Sequence, residues 1–169
     1  MAKPKQIREV VDAYKNVTQV AVAQDDKKLA GATLLRAVEV SKKVKDERMN
    51  ILRSLVKYAH SDTLAAEIYY QIGMELIGVN DDVKPGDVEM EEAAYAFRVA
   101  NALVIRENSD ATSFHAKSSL QLGKLSLADD RDSYTEQSLK LIQMALSEDL
   151  GDLEVEALVF SGHARKVSQ

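Results

Sequence analysis

The sequence predicts an all-α protein of about eight helices, and three observations carry that expectation. Ala, Leu and Val supply most of the apolar mass, aromatics are few and Trp is absent. Small and unbranched side chains lose little freedom in a helix and let helices approach closely, so this is helix-packing material. Only two prolines occur, Pro4 and Pro85, which gives little support to an all-β chain with many turns. Apolar positions recur at three- and four-residue steps in runs of about 15–20 residues between turn signals, the length of helices and not of strands. A chain of 169 residues fits one domain, 1–169, around one core.

The segments are 5–23, 26–43, 46–59, 62–78, 88–107, 110–128, 132–148 and 152–167. The first carries Tyr14, Val17 and Ala21 at helical spacing. In the second, Leu29, Ala30, Leu34, Ala37, Val38 and Val44 form an apolar stripe, leaving Lys27, Lys28, Arg36, Lys42 and Lys43 to solvent. Asp25 and Asp26 stand at its start, where a carboxylate accepts from unpaired amides, and its lysines gather at the dipole-compatible end. Start signals follow at Asp62 before Leu64, Ser109 and Asp110 before Phe114, Asp132 and Ser133 before Leu139, and Asp152 before Val155. Connections of two to four residues force neighbours to run antiparallel. The longer stretch from Gly78 to Asp87, with Asn80, Pro85 and Gly86, reads as a surface loop.

Composition excludes several classes. No cysteine is present, so disulfides, zinc–thiolate sites and cysteine nucleophiles are ruled out. Arg8, Glu9 and Asp12 interrupt the first segment before a secretory apolar stretch forms, and no apolar run reaches the ~20 residues that span a bilayer. A cytoplasmic location without membrane insertion is therefore expected. The net charge of −5 argues against nucleic acid as the partner. That total hides a division: residues 1–60 hold 13 Lys and Arg against 7 Asp and Glu, and residues 61–169 hold 9 against 20. Such polarity suits an acidic partner at the first half, or head-to-tail self-association.

No catalytic or metal-binding constellation can be assembled. His60, His115 and His163 fall on different segments without a second ligand at helical spacing. Asp81 to Glu92 has Gly86 sixth, as in a calcium loop, but Val83 and Pro85 replace side-chain oxygens. Asp129, Asp130, Arg131 and Asp132 read as a solvated turn and helix cap. Gly-rich phosphate loops and nucleophile signatures are missing, and Ser161-Gly162-His163 is adjacency along one helix. Lys42, Lys43, Lys45 and Arg48 lack the interleaved aromatics of a single-strand nucleic-acid surface. Neither an enzyme nor a cofactor is expected.

One pattern repeats. Tyr69, Ile72, Gly73 and Leu76 are followed on the next segment by Ala93, Phe97 and Ala100; Leu122, Gly123 and Ser126 are followed by Ser138, Ile142 and Ala145. A weaker instance sets Tyr14, Val17, Thr18 and Ala21 before Ala30, Leu34 and Ala37, and Leu158, Ser161, Gly162 and Arg165 open a capping helix. Glycine serves where a partner helix crosses closely, and a large plug fills the space between small residues. This order resembles the tetratricopeptide repeat over about residues 10–44 and 65–167, although no Trp opens a repeat and no Pro closes one. Segment 46–59 either interrupts the repeats or marks a more general α-α array with a different pairing for Gly73.

The resemblance implies antiparallel hairpins stacked as an α-α superhelix, with the first helix of each pair lining a groove for a peptide or partner helix. Carried over helix by helix, the groove-facing residues are Lys15 and Gln19; Tyr70, Met74 and Ile77; Lys117, Leu120, Gln121 and Lys124; and Val159 and His163. The alternative for Tyr70, Met74, Leu120 and Val159 is that they complete the core. An interaction scaffold for an acidic-apolar protein segment is the leading expectation, with a self-associating homo-oligomer second and a helical enzyme or small-ligand binder third.

Overall fold

The computed structural model describes residues 4–78, 86–107 and 112–128, together with residues 140, 143, 158 and 159 singly. The described residues are helical: α1 (Pro4–Ala23), α2 (Lys27–Ser41), α3 (Lys45–Leu55) continued by a 3-10 turn (Val56–Tyr58), α4 (Asp62–Leu76), α5 (Asp87–Glu107) and α6 (Thr112–Ala128). Their ends fall within two residues of the first six predicted segments. Segments 132–148 and 152–167 lie outside the described residues, as do Asn80 and Pro85.

The caps explain this agreement. Asp26 Oδ1 accepts from the Leu29 amide at 3.0 Å, so Asp26 opens α2. Asp25 takes a left-handed φ of 56°, and the Asp26 amide reaches back to the Ala21 carbonyl at 2.8 Å, closing α1 in the reverse turn that usually employs glycine. At α4 the cap is Ser61, whose hydroxyl accepts from the Leu64 amide at 3.3 Å, while Asp62 becomes the anion of the first turn.

Packing follows an alternation. Each helix packs on the next in the chain; α1 with α2, α4 with α5 and α5 with α6 do so along much of their length, and the shorter α3 lies more lightly on α2 and α4. Helices two apart also meet. Arg8 on α1 pairs with Glu47 on α3, and Arg53 on α3 pairs with Glu92 on α5 at 3.0 Å, both pairs 39 residues apart in the chain. On the other side α2 touches α4, and α4 touches α6. The odd-numbered helices thus form one row and the even-numbered helices a second.

Two apolar clusters fill the space between. One joins Ile7 and Val11, Leu34 and Val38, Leu52 and Leu55, and Ile68 and Ile72 from α1 to α4, with Ala96 of α5. The second joins Ala66 and Tyr70, Ala93, Phe97 and Ala100, and Leu122 from α4, α5 and α6. Here the expected close approach is present: a Cβ at Gly73 would lie 2.6 Å from ring atoms of the fully buried Phe97. Tyr70 holds that ring from a centroid distance of 5.7 Å in a tilted arrangement. Between α1 and α2 the contact differs. Thr18 stands at the glycine-like position and meets Thr33, hydroxyl to hydroxyl, at 2.8 Å. Val17, its companion in the weak repeat, is 42% exposed.

Candidate functional site

A concave feature on the described surface follows α1. Its first stretch, about 460 Å³, is lined by Arg8, Asp12 and Lys15 from α1 and by Glu47, Asn50 and Ser54 from α3, over a floor of Val11 and Ile51. A second stretch of about 460 Å³ continues along the same helix past Gln19 and Val22 to Lys57, Tyr58 and His60. Residue order explains the continuity. Arg8 meets Glu47 near the start of both helices, Lys15 and Ser54 line the groove further on, and Gln19 and Tyr58 line it beyond them, so α1 and α3 run side by side in the same direction.

Charge in the groove is balanced by local pairs. The Arg8 guanidinium donates to Glu47, and this hydrogen bond, then the charge, raises the already high pKa of Arg8. Lys15 Nζ donates to Asp12 Oδ1 at 3.1 Å, one turn back on α1. Lys57 Nζ lies 5.4 Å from the Tyr58 ring centroid. His60 Nδ1 is enclosed without a hydrogen-bond partner. A groove with this lining offers donors at its rim and, at Val22, exposed aliphatic surface, which suits a polypeptide segment.

The sequence-predicted residues do not form one surface. Lys15 and Gln19 line the α1–α3 groove. Tyr70, 7% exposed, belongs to the core, Met74 packs half-buried beside it, and Lys117 and Lys124 are half-buried on α6. Gln121 is buried because the six residues Ser118 to Gly123 are all buried, which takes in the whole circumference of α6. It is a core residue and not a groove residue, and so is Leu120. Ile77 is half-buried, Val159 is 54% exposed, and His163 lies outside the described residues. The reason is parity: α3 takes a full place in the alternation, so α1 stands in the odd row and α4 and α6 in the even row.

Sequence reasoning missed Asn50, Ser54 and Tyr58, because α3 had no assigned place in the repeat. The only signal for them is the helical register that sets Glu47, Asn50, Ser54 on one face at three- and four-residue steps. Arg48 also leaves the basic cluster. It turns inward, pairs with Glu75 and donates to Gln71 Oε1 at 3.1 Å, while Lys42, Lys43 and Lys45 stay exposed.

Among the described residues no three His, Asp or Glu side chains converge as metal ligands, and no helix is long and apolar enough to cross a membrane. Comparison of the chain with family models, with curated proteins and with solved structures finds no match.

Proposed function

We propose that the protein is an interaction scaffold that holds a helix or extended segment of a partner protein in the α1–α3 groove, in the manner of tetratricopeptide-like arrays. The observation that carries this reading is the groove itself, two consecutive stretches with an aliphatic floor and polar rims. The occupant is an acidic-apolar segment. Its apolar side would cover the exposed Val22 and the aliphatic stems of the rim side chains, Val11 and Ile51 being already buried, and its carboxylates would meet Lys15, Lys57 and His60. The surplus of Lys and Arg in residues 1–60 favours the same sign of partner. With α3 counted in the alternation, the close crossing at Gly73 joins α4 to α5 between successive hairpins, which suits a more general α-α array.

The test uses a labelled amphipathic peptide with Glu at alternate turns and Leu on the opposite face, titrated by fluorescence anisotropy. Binding is expected to weaken by about tenfold in a Lys15→Glu, Lys57→Glu variant, because reversing two rim charges converts attraction into repulsion. Amide chemical-shift changes should concentrate on α1, α3 and the 3-10 turn. Equal affinity in both proteins, or shifts confined to α5 and α6, removes the groove as the binding site.

A further inference from the structure

Beyond its core-facing side and its groove-facing side, α1 carries a third surface. Val10, Val17 and Val20 are 43%, 42% and 55% exposed, and Ala13 between them is exposed as well. With Gln6 and Gln24, also exposed, they stand at positions 6, 10, 13, 17, 20 and 24, stepping by four, three, four, three and four residues. This is the spacing of a coiled-coil seam. Gln24 continues the helical turn, since its amide donates to the Val20 carbonyl at 3.0 Å. The seam lies away from Arg8, Asp12, Lys15 and Gln19, which face the groove, and beside Ile7, Tyr14 and Ala21, which face the core.

The spacing reads the same from either end. An antiparallel pair of α1 helices about a two-fold axis sets Gln6 against Gln24, Val10 against Val20 and Ala13 against Val17 of the second copy. Large residues meet small ones at the centre, and amides meet at the rims. A two-fold interface requires that self-complementarity, because residue i meets j while j meets i. On the outer flank of α1 Glu9 comes beside Ala23 and Asn16 beside its own counterpart, so no like charges meet on that flank. The neighbouring helix extends the surface. Leu29 is 44% exposed and Ala32 exposed on the side of α2 turned away from α4, since Gly31 on the opposite flank lies against Leu64 and His60.

We infer that this face of the α1–α2 hairpin docks a second copy of the chain, α1 antiparallel to α1. A single helix pair buries less than the ~1,200–2,000 Å² of firm complexes, so the dimer is a concentration-dependent one even with the contribution of α2. It leaves the groove open on the opposite flank.

Sedimentation velocity of the full chain over a concentration series tests the inference. The wild type is expected to pass from monomer to dimer. Val10→Glu with Val20→Glu sets carboxylate against carboxylate in the antiparallel register and should weaken association by about tenfold or more. Val10→Glu with Val20→Lys sets carboxylate against ammonium twice and should restore it, with a salt dependence the wild type lacks. Both positions are exposed, and unchanged helicity by circular dichroism checks that each variant folds. A wild type that stays monomeric, a dimer indifferent to the paired carboxylates, or failure of the opposite-charge variant to recover association each overturns the antiparallel seam.

Discussion

A methyl group at position 73 would meet Phe97 ring atoms at 2.6 Å, a distance that real contacts do not sustain. The ring cannot swing aside, because Phe97 is fully buried and Tyr70 lies against it. Gly73→Ala is therefore expected to destabilise the fold by about 1–2 kcal/mol, overpacking outweighing the gain in helix propensity. Gly31, also inside a helix, is the internal control. A Cβ there would find its nearest neighbour, Leu64 Cδ1, at an ordinary 3.7 Å. Gly31→Ala should stabilise by about 0.5–1 kcal/mol through the restricted unfolded chain. Urea denaturation of the two variants beside wild type decides the matter, and equal signs would mean that the Phe97 pocket relaxes freely.

At the scale of elements, α3 is the piece on which the architecture turns. It is short, packs lightly, and is fastened to α4 by Arg48, whose guanidinium pairs with Glu75 and bonds to Gln71. Arg48→Met strands the partly buried Glu75 carboxylate and should cost about 1–3 kcal/mol, with faster amide exchange in α3 than in α4 or α5. Adding Glu75→Leu removes the stranded charge and should recover most of the loss; uniform exchange along the chain would show instead that α3 opens only with the whole. The helices themselves were legible in the sequence because their signals are local: Asp26 caps α2 at the expected place, and the Gly73–Phe97 crossing follows from residue sizes at fixed spacing. The candidate site was legible only in Lys15 and Gln19. Which row a helix joins depends on how many helices precede it, so leaving α3 out of the alternation put Tyr70 and Gln121 on a groove when both are in the core. Burial on every side of α6 between Ser118 and Gly123 is likewise a sum over neighbours, and no single periodicity in that stretch encodes it.

For the molecule as a whole, the even row carries an electrostatic conflict at Glu67 on α4. Burial pushes its carboxyl above the ordinary value of 4.5, and the charges of Lys117 on α6 and Lys42 beyond α2 oppose the shift without cancelling it. A folded-state pKa above the unfolded one means that the folded chain binds more protons between the two values. Stability therefore falls as pH rises through that window and stays reduced above it. Glu67→Gln removes the buried charge while keeping the shape. The variant should melt higher than wild type near neutral pH, and the difference should shrink as pH falls below the unfolded value towards about pH 3, where the wild-type carboxyl is protonated in both states. Melting curves of both proteins across that range isolate this one group, since every other carboxylate contributes equally to the pair. A variant that melts lower at neutral pH would mean that attraction to Lys117 and Lys42 exceeds the cost of burial, and that Glu67 tethers α4 to its neighbours in the even row.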